Sequence, residues 1–128
     1  MNYLLHTDIL LAASQGSLPE TFRNILEHTP PTHIHLSVIA LAEALKTASA
    51  IHASWLRRIP TEYADRLIPI DAEIAASYAE LVQQAREKGY TLELADGLVA
   101  ATAIRYDLIL LTRPSPAMAA TGVRLVLS

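Results

Sequence analysis

The sequence predicts an α/β fold with a parallel sheet at its centre, and three observations carry that prediction. Apolar runs of strand length alternate with longer segments of helical period along the chain. Five such runs can be read, over residues 3–7, 33–36, 67–70, 108–111 and 123–127. No internal repeat, low-complexity tract or second compositional block divides the 128 residues, so a single domain over 1–128 is expected. Strands separated by helices mean a parallel sheet covered on both faces, because a parallel crossover needs about a helix of chain to return.

Each element has a local reason. The strand at 3–7 leads into helical pieces over 9–14 and 18–28, separated by Gly16, and Pro30 and Pro31 stop the second piece. After the strand at 33–36, Ser37 is placed to cap a helix carrying Val38, Leu41, Ala42 and Leu45 at spacings of three and four. That helix puts Glu43 near its second turn. Pro60 is read as the close of the following segment. The strand at 67–70 runs into Asp71, a cap for a helix over 72–88 with Ile74, Tyr78, Leu81 and Val82 on one face and Gly89 as its terminator. Asp96 is read as the opening of the next helix, ahead of the strands at 108–111 and 123–127.

Composition narrows the function classes. Charged residues are 18% and hydrophobic residues 52% of the chain, which leaves apolar surface for a partner. There is no cysteine, hence no disulfide framework, no thiolate nucleophile and no cysteine-rich zinc site, which fits a reducing compartment. The first apolar run lacks a basic flank, and no stretch approaches the roughly 18 uninterrupted apolar residues of a membrane span. A cytoplasmic protein with no membrane attachment is expected. A net charge of −3 offers no global attraction to a polyanion, so any nucleic-acid substrate would have to be held by local basic groups and bound cations, and composition neither supports nor excludes RNA.

Ligands of open parallel sheets bind outside the carboxyl ends of the strands. The groups expected there are His6, Thr7 and Asp8 after the first strand, Glu43 on a crossover helix, Asp96 at a helix start, and Thr112 and Arg113 after the fourth strand. Carboxylates brought together repel unless a cation separates them, and oxygen ligands select a hard divalent ion, Mg²⁺ or Mn²⁺. Such an ion can polarise a phosphodiester and turn water into a nucleophile.

The segments Tyr3-Leu4-Leu5-His6-Thr7-Asp8, Leu36-Ser37-Val38-Ile39-Ala40-Leu41-Ala42-Glu43, Leu94-Ala95-Asp96-Gly97-Leu98-Val99-Ala100-Ala101-Thr102 and Leu110-Leu111-Thr112-Arg113 resemble, in order, the successive motifs of PIN domains, especially VapC-type toxins of bacterial toxin–antitoxin pairs. The resemblance spans nearly the whole chain. It implies a three-layer α/β/α sandwich with a five-stranded parallel sheet, homodimerisation, Mg²⁺-dependent endoribonuclease activity and a small antitoxin partner. Glu43 and Asp96 stand where the family has metal-binding acids. Two departures accompany the match. His6 replaces the family's first aspartate, and Ala117 stands where an aspartate usually follows the threonine–arginine pair. The four-acid pocket is thereby cut to Glu43 and Asp96, with Asp8 placed to replace His6 in part if the first strand extends that far, since residues two apart on a strand share a face.

The same residues have plainer readings. Asp96 and Asp8 can be helix caps, favoured by free amides and the helix dipole. Glu43 can be a solvated helix residue, His6 a core histidine or a degenerate position, Thr7 a partner for a backbone group or for phosphate, and Arg113 a surface charge or a phosphate contact. His33 and His35 lie two apart on a presumed strand without an evident third zinc ligand. His28 and His52 are expected at the surface, and Arg57-Arg58 beside Trp55 reads as a solvated helix end. Ser37 lacks the histidine and carboxylate that would activate a nucleophile.

Two functional classes follow: a divalent-metal endoribonuclease with Glu43, Asp96, Asp8 and Thr7 at its centre and Thr7, Thr112 and Arg113 handling water or phosphate, or a PIN-like binding protein that no longer cleaves. A receiver-type phosphoacceptor domain fits less well, because Lys46 and Lys88 are not placed for that site.

Overall fold

The computed structural model describes residues 1–127. Strands β1 (Tyr3–Leu5), β2 (Ile34–Ser37), β3 (Leu67–Ile68), β4 (Ile109–Thr112) and β5 (Leu125–Leu127) form one sheet in the order β3-β2-β1-β4-β5, every pairing parallel. The expected fold class is therefore observed. Successive crossovers run outward from β1 in one direction and from β4 in the other, so the topology reverses between these two central strands.

Alternation along β1 builds the layers. Leu4 packs with Ile74, Leu81, Val99, Ala103 and Leu110 on one face, where helices α6 (Ala72–Glu87) and α7 (Leu94–Arg105) lie. Leu5 packs with Ile9, Leu10, Phe22, Leu56 and Leu111 on the other, under α1 (Thr7–Ser14), α2 (Glu20–Glu27), α4 (Ala50–Leu56) and α5 (Ile59–Glu62). Helix α3 (Val38–Thr47) touches both α1 and α7 and contributes Ala40 to the first cluster and Leu41 and Ala44 to the second. Full burial of a leucine such as Leu110 contributes about 1.5–3 kcal/mol, so both layers are held mainly by apolar contact.

Several boundaries move from their expected places. β1 ends at Leu5, and His6 caps α1 with its ring, so Thr7 and Asp8 are helical. The strand periodicity that would have let Asp8 stand in for His6 is absent. His33 belongs to a short 3-10 turn, Pro31–His33, and Ser37 both ends β2 and caps α3 by accepting from the Ile39 amide at 3.1 Å. Pro60 opens the short helix α5 rather than closing a segment, because its missing amide costs nothing in a first turn. Asp71 caps α6 as expected, and Gly89 follows Lys88 with φ +85°, a left-handed conformation that terminates the helix. A fourth-to-fifth-strand helix, α8 (Pro116–Ala119), capped by Ser115, was not expected. Among the described residues no helix is long and apolar enough to cross a membrane.

Candidate active site at the carboxyl ends of the central strands

A pocket of about 480 Å³ opens where β1 passes into α1, lined by His6, Thr7, Asp8, Leu11, Glu43, Glu93, Leu94, Ala95 and Asp96. Three helices deliver its polar groups. The first turn of α1 brings Thr7 and Asp8, the second turn of α3 brings Glu43, and the start of α7 brings Glu93 and Asp96. Four carboxylates line the pocket and no lysine or arginine does. The N-termini of α1 and α7 also converge there, and their free amides favour negative charge.

His6 sits at the base of the pocket with both ring nitrogens in contact. It is buried, and its Nδ1 accepts the Thr7 amide at 2.6 Å while Nε2 lies 2.7 Å from Asp96 Oδ1. An amide can only donate, so Nδ1 carries a lone pair and the proton of the neutral ring sits on Nε2, from which it donates to Asp96. Both nitrogens are thus engaged. The imidazole presents no free lone pair to a metal and cannot act as a general base toward substrate in this arrangement.

Asp96 keeps its second carboxylate oxygen without a partner among the described residues, and its side chain is about one third exposed (34%). It does not open α7 as expected. Glu93 takes the cap position, Asp96 falls in the first turn, and the Glu93 side chain makes no capping bond. Glu43 stands 3.5 Å from the exposed Lys46 ammonium, a solvated i,i+3 pair that contributes little. Asp8 is occupied by backbone: Oδ1 accepts from Ile9 N at 2.8 Å and Oδ2 from Arg113 N at 3.0 Å, tying the start of α1 to the chain leaving β4.

The other candidates lie outside this pocket's lining. Thr112 is buried and its hydroxyl donates to the Arg113 carbonyl, Arg113 is exposed, and Ala117 packs half-buried against the core at the start of α8. His33 and His35 share a different cavity with Asp65, and His33 pairs with the Met1 carbonyl. His28 is exposed and His52 is half-buried against Ser49 Oγ. Glu93 is the site residue that sequence reading missed. Its signal in the sequence is a carboxylate three residues before Asp96, within one helical turn.

The donor set can be tested against a hard divalent ion. Among the described residues no three histidine or carboxylate groups stand close enough to grip one ion together. Mg²⁺, however, is commonly held by one or two carboxylates with waters in the remaining positions. Glu43 and Asp96 meet that requirement, and Thr7, which also lines the pocket, has a buried hydroxyl with no hydrogen-bond partner among the described residues. A buried hydroxyl left unpaired costs about 1–3 kcal/mol, and a turn of the Thr7 side chain into the pocket would bring it to a water or ligand oxygen. The residues fit an ion bound largely through water.

The fold and this acidic pocket define a class: the chain belongs to the PIN domain family, which matches residues 3–113. Within it the chain falls among VapC-type toxin–antitoxin proteins. It is 31% identical over 102 residues to VapC ribonuclease Y4jK of Sinorhizobium fredii, covering 73% of each chain. It is 32% identical over 99 residues to Toxin FitB of Neisseria gonorrhoeae, covering 70% of this chain and 71% of that one. The crystal structure of FitAcB from Neisseria gonorrhoeae superposes with a TM-score of 0.79 at 25% identity, covering 96% of this chain and 95% of the other.

Proposed function

We propose that this chain is the RNA-cleaving member of a toxin–antitoxin pair, using a divalent cation held by Glu43 and Asp96, with its activity held down by His6. The observation that carries the reading is the convergence of Glu43 and Asp96, from two separate helices, on one pocket with the unpartnered Thr7 hydroxyl. Mg²⁺ or Mn²⁺ bound there supplies Lewis-acid polarisation of a phosphodiester and a water nucleophile at neutral pH. Glu43 and Asp96 provide the charge that binds the cation. Thr7 orients a water or a phosphate oxygen through its hydroxyl, and the N-termini of α1 and α7 attract the phosphate. Asp8 holds the chain after β4 in place, which sets where the exposed Arg113 can meet an RNA backbone. His6 takes one lone pair of Asp96 and adds no negative charge where the family has an acid, so cation affinity and turnover are low. The exposed apolar residues Ile51, Leu94 and Ile104 leave apolar surface for an antitoxin or a second copy.

A second reading is a non-cleaving protein that still binds antitoxin or RNA. It is favoured by the same His6–Asp96 bond and by the absence, among the described residues, of a three-membered ligand group. RNA cleavage with Mg²⁺ and with Mn²⁺ separates the two, using the chain as given, Glu43→Ala, Asp96→Ala and His6→Asp. Slow cleavage abolished by either alanine and raised by His6→Asp supports the first. Cleavage that survives both alanines sinks it, and cleavage that appears only in His6→Asp supports the second.

A further inference from the structure

Glu93 is exposed at the start of α7. It caps α7, yet glutamate is a poor capping residue, and its carboxylate accepts no amide of the helix and meets no hydrogen-bond or ion-pair partner among the described residues. It lines the same pocket as Glu43 and Asp96. One plain reason for an acid here is the helix dipole, which favours negative charge near an N-terminus by about 0.3–1 kcal/mol at exposed sites. That reason accounts for the position on α7 but not for the charge balance of the pocket. With Asp8 tied to two amides and Asp96 partly taken by His6, the pocket is left with the uncommitted charge of Glu93, of Glu43 beyond its weak Lys46 contact, and of the second Asp96 oxygen. Thr7 lines the same pocket, and its buried hydroxyl has no hydrogen-bond partner among the described residues.

We infer that Glu93 is a third acidic residue of the cation site, acting through space and through bound water rather than as a direct ligand, and that it restores part of the charge absent at His6 and Ala117. The inference rests on the proposed cation-binding reading. Direct coordination by all three acids is not the arrangement seen, since no three such groups are clustered among the described residues. A through-space role follows Coulomb's law in a solvated pocket, where one charge at a separation of several ångströms changes the affinity of a divalent ion by about three- to tenfold.

The test is Mn²⁺ affinity of the whole chain without RNA, read by paramagnetic resonance of free Mn²⁺ at low and high salt. The variants are Glu93→Gln, Glu93→Asp, Asp96→Asn and Glu80→Gln, the last removing an exposed acid of α6 that lines none of the described cavities. The inference expects Glu93→Gln to weaken binding about three- to tenfold at low salt, with the difference shrinking toward one at high salt as charges are screened. It expects Glu93→Asp to retain most of the affinity and Glu80→Gln to leave it unchanged. If Asp96→Asn abolishes binding while Glu93→Gln matches the parent, the role of Glu93 is overturned and the cation site stands. An equal loss in Glu80→Gln also overturns it, because net charge alone then accounts for the effect. If the parent binds no Mn²⁺ above the level of Asp96→Asn, both the site and the role of Glu93 fall.

Discussion

His6 Nε2 donates to Asp96 Oδ1 across 2.7 Å, joining the end of β1 to the first turn of α7 over ninety residues of chain. The bond lets an imidazole sit beside a carboxylate at the base of an acidic pocket with no cation between them. A carboxylate at position 6 would repel Asp96 and need a cation between them; the imidazole supplies its own proton instead.

Changing His6→Asp reverses that. In a chelating buffer the variant loses a charge-assisted hydrogen bond and gains a like-charge neighbour, at a cost of about 1–3 kcal/mol. Melting followed by circular dichroism should fall by several degrees and recover on adding Mn²⁺, since a ligand bound only by the folded state stabilises it. An unchanged melting temperature in both conditions would count against the account of the pair.

Asp8 should behave as a clamp. Asp8→Ala removes the acceptors of Ile9 N and Arg113 N and should cost about 1–2 kcal/mol, in the range of a lost helix cap. Asp8→Asn keeps one acceptor oxygen and should lose less. Hydrogen exchange at the Arg113 amide is the specific readout: it should accelerate in Asp8→Ala, and a rate equal to the parent's rejects the clamp.

Gly97 lies where α7 crosses α6. A Cβ added there would meet two Tyr78 ring carbons at 2.6 Å and Leu92 Cδ2 at 3.3 Å. Overpacking of this kind costs about 1–3 kcal/mol and outweighs the better helix propensity of alanine, about 1 kcal/mol. Gly97→Ala should therefore destabilise in urea titration, and pairing it with Tyr78→Leu should recover part of the loss. A Gly97→Ala chain as stable as the parent would show that the tyrosine swings aside.

His35 gives a pH dependence away from the pocket. Burial, with the positive Arg66 and the neighbouring His33, holds its imidazole below the ordinary 6.5, while Asp65 pulls the other way. The unfolded chain therefore binds this proton more readily. The associated stability is present above pH 6.5 and is lost as pH falls through the depressed value of the folded state. Urea titrations at pH 7.5, 6.5 and 5.5 should show a smaller loss toward acid for His35→Gln than for the parent.

How much was legible follows from which signals are local. The strand–helix alternation and both layers could be read because buried parallel strands are nearly continuous apolar runs and α6 carries a 3.6-residue stripe ending at Gly89. The capping roles of Ser37 and Asp71 were legible for the same reason: each bond spans two or three residues. The β1–α1 boundary was not, since no glycine or proline marks it and the cap is a histidine ring, an unusual acceptor for a helix amide. Glu93 was displaced by a two-residue error in the start of α7, within the ordinary fraying of helix ends.

By itself, then, the sequence determined the parallel sheet, most of its covering helices and the family motifs, all of which depend on residue type and short spacing. Only the tertiary structure decided which carboxylates are already engaged. Whether a carboxylate is free for a ligand depends on which donors reach it from elsewhere in the fold. The fold spends Asp8 on Arg113 N, half-occupies Asp96 with His6 and brings the unpaired Glu93 to the same pocket.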